Sequence, residues 1–154
     1  MRLWRISIYL SLAGTGGLMS PGRWHSGNRP IVYLAESPPG ALLERLVHLE
    51  IDPDDLPQTY RLLEVEVTDG AAFDTVDEDE LPADWRFVDV STWAIGDRWL
   101  EAGRTSLLRV PSAITPRTSN WLLNPKHPDA ARAQITEVIE APFDQRLFRL
   151  FAIK

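Results

Sequence analysis

Between Tyr60 and Val67 the apolar residues Leu63, Val65 and Val67 alternate with Glu64 and Glu66, the period of a strand with one face buried and the other wet. Such a segment holds its shape only beside other strands and under a covering layer, so it commits the chain to a sheet. Further strands are expected at Leu3–Leu10, Ile31–Ala35, Leu107–Val110, Asn120–Asn124 and Gln134–Ile139, each rich in β-branched, aromatic or leucine residues. Two helices fit between them. Ser37 and Pro38 form a start signal for one, whose apolar stripe runs through Leu42, Leu43, Leu46, Val47 and Leu49 until Asp52-Pro53 stops it. Ser91 caps the other, from Thr92 to Ala102, with Ile95 and Trp99 on one face and Gly103 closing it. The remainder reads as connections: a flexible Gly14-Thr15-Gly16-Gly17 loop to Pro21, a turn at Ser26–Pro30, an acidic surface stretch Asp74–Glu80 and a turn around Trp85. Asp144–Phe151 is apolar enough for burial and fits a strand or a short helix equally. The fold class is therefore α+β, a central mixed β-sheet flanked by a few helices, in a single domain spanning residues 1–154.

Composition removes several functions. The net charge of −6 disfavours a sequence-independent grip on nucleic acid, which needs clustered positive charge. Cysteine is absent, so disulfides, thiolate catalysis and thiolate zinc sites are excluded, and a reducing cytoplasm fits. Arg2 before an apolar run imitates a secretory signal, but Arg5 interrupts it, and no stretch has the roughly 18 apolar residues of a membrane helix. Among the familiar catalytic motifs there is no P-loop, G-x-G-x-x-G, H-E-x-x-H or G-x-S-x-G. His25, His48 and His127 lie too far apart in sequence to suggest a metal site and read as ordinary polar or edge residues. Six tryptophans are more than a core of this size needs, which hints at a planar ligand.

One constellation stands out. Arg23, Tyr33 and Glu44 follow at intervals of ten and eleven on successive loop, strand and helix, where they can face one cleft. Glu44 is also readable as a partly exposed helix carboxylate near the helix N-terminus. Ser112 after Pro111, and Asn124 before Pro125, read by spacing alone as turn residues.

Taken in order, Leu3-Trp4-Arg5-Ile6, Gly14-Thr15-Gly16-Gly17, Gly22-Arg23-Trp24-His25, Ile31-Val32-Tyr33-Leu34-Ala35, Ala41-Leu42-Leu43-Glu44, Ile95-Gly96-Asp97-Arg98-Trp99-Leu100, Val110-Pro111-Ser112-Ala113 and Leu123-Asn124-Pro125-Lys126-His127-Pro128 resemble the RES domain family. The family takes its name from Arg, Glu and Ser, matched here by Arg23, Glu44 and Ser112. The resemblance implies an ADP-ribosyltransferase-like fold and a bacterial toxin that degrades NAD by phosphorolysis or hydrolysis, with inorganic phosphate as a candidate co-substrate and no tightly bound cofactor or metal. It implies catalytic roles for Arg23, Tyr33 and Glu44, and NAD contacts from Arg5, Trp24, Ser112 and Asn124. It also implies an Xre-type helix-turn-helix antitoxin that covers the site in the cytoplasm. A homodimer is compatible with the apolar surplus, and neither direct nucleic-acid binding nor a membrane is expected.

The residue types suit that chemistry. Loss of nicotinamide leaves positive charge on the ribose, which a carboxylate such as Glu44 stabilises while holding a ribose hydroxyl. Guanidinium groups of Arg5 and Arg23 fork onto pyrophosphate or phosphate, and Tyr33 with a tryptophan such as Trp24 packs the nicotinamide ribose. Ser112 has no histidine partner and is assigned a hydrogen-bonding role. Two other readings compete: transfer of ADP-ribose to a protein, and a non-catalytic interaction domain using the Phe148, Leu150 and Phe151 tail. A ribonuclease is disfavoured by the acidic balance.

Overall fold

The computed structural model describes residues 1–48 and 57–149. Its strands are β1 (Arg2–Ile6), β2 (Val32–Ala35), β3 (Thr59–Val67), β4 (Phe73–Thr75), β5 (Leu107–Pro111), β6 (Ser119–Leu123) and β7 (Ala133–Pro142). The helices are α1 (Thr15–Met19), α2 (Pro38–Val47), α3 (Asp89–Ala102) and α4 (Gln145–Arg149). The seven strands form one mixed sheet in the order β4-β5-β6-β2-β1-β3-β7, antiparallel throughout except for the parallel β4–β5 pair. This is the α+β arrangement that the sequence implied.

Side-chain alternation sorts the core onto two faces of the sheet. Leu3, Val32, Leu34, Val65, Val67, Leu107, Trp121 and Leu123 form one buried layer. Their out-of-phase neighbours Leu108, Val110 and Leu122 turn to the other face and pack with Trp24, Trp85 and Trp99, under α3. On that same face Ala35 and Leu62 meet Ala41 of α2. The helices therefore cover two separate patches of one face.

Several elements depart from the sequence expectations. The first strand stops at Ile6, and Ile8, Tyr9 and Leu10 are exposed, because beyond Ser7, whose N–H still donates to the Arg61 carbonyl at 3.2 Å, no ladder is formed to hold them. Gly14–Gly17 is no open loop: Gly14 adopts φ 72 and its carbonyl accepts N–H bonds from Gly17 (3.0 Å) and Ile31 (3.4 Å), starting α1. Within the acidic stretch Phe73–Thr75 becomes an edge strand, and Asp77 caps a 3₁₀ turn at Glu78–Glu80. Helix α3 starts at Asp89, so Ser91 lies inside it and its hydroxyl donates to the Val88 carbonyl. Ser37 does cap α2, accepting the Gly40 N–H at 3.2 Å, but of the described residues of its stripe only Leu46 is buried, Leu42 is half-buried, and Leu43 and Val47 face outward. The expected helix end at Leu49 and Asp52-Pro53, and Leu150 and Phe151 of the tail, lie outside the described residues.

A candidate active site at the seam of the sheet

Between β1 and β2 the ladder is reduced to one register pair, Trp4 opposite Ala35. Past it the strands part, and a cavity of about 550 Å³ occupies the gap, between the patch covered by α2 and the patch covered by α3. β1 contributes Trp4, Arg5 and Ile6 to its wall, β2 contributes Tyr33 and Ala35, β6 contributes Asn120, and α2 contributes Glu44 and Arg45, with His48 at its C-cap.

Glu44 is anchored rather than free. Its Oε1 accepts a hydrogen bond from Asn120 Nδ2 at 2.6 Å and a longer one from the Ser112 hydroxyl at 3.4 Å. The Ser112 oxygen in turn accepts the backbone N–H groups of Ile114 and Thr115, both at 3.2 Å. The Arg5 guanidinium, by contrast, has no hydrogen bond or ion pair among the described residues, and burial lowers its pKa. An arginine keeps its charge in proteins, so this guanidinium is a desolvated cation in want of an anion.

Tyr33 is set by a second network. The Trp24 N–H donates to its hydroxyl oxygen at 3.0 Å, and His25 Nδ1 lies 2.9 Å from the same oxygen. His25 Nε2 faces the Gly17 carbonyl at 3.1 Å, and a carbonyl only accepts, so Nε2 carries the proton. Nδ1 also receives the Gly22 N–H at 3.1 Å, which leaves the ring neutral with Tyr33 donating to it. Burial is the main cause of the lowered His25 pKa and of the raised Tyr33 pKa, so both groups are held uncharged. Gly22 admits no side chain here, since a Cβ would stand 2.6 Å from the Tyr33 hydroxyl. Helix α3 fixes the Gly22–Ser26 turn from behind: Trp93 Nε1 donates to the Gly22 carbonyl at 2.7 Å, and Asp97 accepts from the Ser26 hydroxyl at 2.6 Å. The contact is close because Gly96 is bare; a Cβ there would lie 1.7 Å from the Trp24 carbonyl oxygen.

Of the seven residues singled out in the sequence, Arg5, Tyr33 and Glu44 meet at the cavity, and Ser112 reaches it through Glu44. Arg23 is turned aside, paired with Asp89 and donating to the Trp85 carbonyl at 3.4 Å. Trp24 is 2% exposed and packs against Trp85 in the core; the tryptophan on the cavity wall is Trp4. Asn124 is buried in the turn after β6, where its side chain accepts the Lys126 N–H at 3.1 Å, and it borders a second, smaller pocket with Asn28 and Arg29. Sequence reasoning missed Asn120 and took His25 for an ordinary polar residue, whereas it is 1% exposed and lines the cavity. The available signal for Asn120 was an amide in phase with Leu122, just ahead of the apolar Trp121–Leu123 run of its strand.

The RES domain family profile matches residues 2–144. A protein named Toxin Res from Pseudomonas putida is 52% identical over 151 residues, covering 96% of this chain and all of that one. Another named Prs ADP-ribosylating toxin, from Sphingobium, is 37% identical over 142 residues, covering 90% of this chain and 87% of that one. The fold is shared with a chain of the MbcT–MbcA toxin–antitoxin complex of M. tuberculosis at a TM-score of 0.71 and 18% identity, over 99% of this chain and 89% of that one.

Proposed function

This chain belongs to the RES domain family, and from that premise we propose that it is the toxin of a bacterial toxin–antitoxin pair that cleaves the nicotinamide–ribose bond of NAD. The observation that carries the reading is Glu44: one carboxylate oxygen is held by Asn120, in a cavity that also presents the neutral Tyr33 and an Arg5 guanidinium with no partner among the described residues. In the reaction the electron pair of the C1″–N bond leaves with nicotinamide, and positive charge develops on the ribose. The Glu44 carboxylate stabilises that charge and holds a ribose hydroxyl. Arg5 takes a phosphate oxygen of the pyrophosphate, and Tyr33 and Trp4 pack the ribose and nicotinamide. An oxygen of water or inorganic phosphate then bonds to C1″ and gives up its proton. Arg23 joins as a second phosphate ligand once its pair with Asp89 opens, while Trp24 and Asn124 support the walls from outside the cavity.

Incubation of the purified chain with NAD, with and without phosphate, tests this reading. Nicotinamide with ADP-ribose-1″-phosphate only in phosphate identifies phosphorolysis; ADP-ribose in both buffers identifies hydrolysis; intact NAD throughout refutes both. Transfer of ADP-ribose to a protein is the second reading, favoured by the name of the Sphingobium relative, and label appearing on protein would identify it.

The partner in this reading is an antitoxin that covers the cavity, in keeping with the toxin–antitoxin complex whose fold the chain shares. An Xre-type helix-turn-helix protein in the cytoplasm is the expected form. Among the described residues no helix is long and apolar enough to cross a membrane. The whole chain acts as one RES domain, and light scattering on the isolated protein distinguishes a monomer from a homodimer.

A further inference from the structure

We propose that Asn120 is a positioning residue for the reaction: it locks Glu44 so that Oε1 is committed to the protein and Oε2 is presented to the ribose. The inference rests on the reading of Glu44 as the carboxylate that faces the reacting sugar.

Both donors that reach Glu44, Asn120 Nδ2 at 2.6 Å and Ser112 Oγ at 3.4 Å, converge on the same oxygen, and among the described residues Oε2 has no donor. The contact from Asn120 is short, as expected for a bond to an ionised acceptor. The two partners differ in stiffness. Asn120 sits in β6, in register with Ala35 on one side and Val110 on the other, so its backbone is fixed by ladders on both edges. Glu44 extends from α2, which shows Leu43 and Val47 to solvent, and a glutamate has three side-chain torsions to order. The rigid strand therefore sets the flexible acid. Ser112 adds direction: its oxygen accepts two backbone N–H groups, which leaves its own proton free to point at Glu44. A strand amide unsuited to the apolar core around Leu122 thus acquires a reason for its place.

Asn120→Ala and the nearly isosteric Asn120→Leu, which removes the donor without adding a charge, test the role, the second serving if the first fails to fold. Each is expected to lower kcat for NAD consumption by about 10- to 100-fold with KM within about twofold, since misalignment penalises the transition state more than binding. In a Glu44→Gln background neither is expected to lower the residual rate further, whereas a merely structural defect would add its own loss. Loss of rate through KM alone, or full additivity with Glu44→Gln, overturns the inference. An unchanged rate in both variants, with Glu44→Gln inactive, also overturns it and leaves the NAD reading standing. If the wild-type chain leaves NAD intact, that reading fails, and the positioning claim is judged by crystal structures: one Glu44 rotamer in the wild type and several in Asn120→Ala supports it, the same single rotamer in both refutes it.

Discussion

The β3–β7 pair and the β1–β2 pair are neighbours in one sheet and opposites in construction. The first runs in register from Thr59↔Pro142 to Val67↔Ala133, interrupted by one shift between Glu64 and Val65, and the inward side chains Leu63 and Val65 have no exposure. The second holds at Trp4↔Ala35 alone, and the side chains around it line a cavity. A continuous ladder satisfies every backbone group and leaves no room between strands; a seam that ends after one pair leaves room, and polar groups settle in it. Chemistry is therefore placed at a seam in the middle of the sheet, and the continuous ladders on either side of it carry the packing.

The largest effect expected from that division belongs to the seam. Glu44→Gln should lower NAD consumption by about 10²–10³-fold, roughly 3–4 kcal/mol of transition-state stabilisation, while the urea midpoint hardly moves, since an amide oxygen still accepts from Asn120. A normal rate would remove Glu44 from the mechanism. The converse substitution is Leu63→Ala on the ladder, which should cost about 3 kcal/mol of stability by denaturant titration and leave the rate per folded molecule unaltered. A parallel drop in specific activity would erase the contrast between the two regions.

Smaller changes sharpen the picture. Arg5→Gln removes a half-buried cation that has no partner among the described residues, so it should raise KM for NAD by about tenfold without loss of thermal stability. A fall in melting temperature at constant KM would make Arg5 a structural group instead. The smallest effect is a pH slope. Burial holds the folded-state pKa of His25 below its unfolded value of about 6.5, so the unfolded chain binds the proton first. The stability contributed by the neutral ring is complete above about pH 6.5 and declines as pH falls toward the folded-state pKa. Melting temperatures at pH 7.5 and 5.5 should diverge in the wild type and converge in His25→Gln; equal slopes in the two proteins would contradict the network built around Tyr33.

Where pattern and partner coincided, the elements were legible in advance. β3, β2, β6 and α2 carry their signals locally, in alternation, in β-branched runs, and in a Ser37 cap followed by proline. Phe73–Thr75 was not legible as a strand, because its parallel partner β5 lies more than thirty residues on, and Ile8–Leu10 read as strand because apolarity does not reveal that no neighbour is present. The site divides similarly. Arg5, Tyr33 and Glu44 were found and do share the cavity, but Arg23 and Trp24, adjacent in sequence to a cavity residue on either side, turn respectively to Asp89 and to Trp85.

By itself the sequence determined which segments bury one face, which side chains are the candidates for chemistry, and, through ordered short motifs spread along the chain, the family. The buried faces are properties of composition and spacing, set residue by residue, while the family rests on the resemblance those motifs carry. Only the tertiary structure decided that the ladder fails between β1 and β2, that Glu44 answers to Asn120 across seventy-six positions, and that His25 is neutral in its proton-on-Nε2 form. Each depends on groups far apart in the chain being brought within hydrogen-bond reach, and direction and distance at that scale exist only once the sheet has closed over its core.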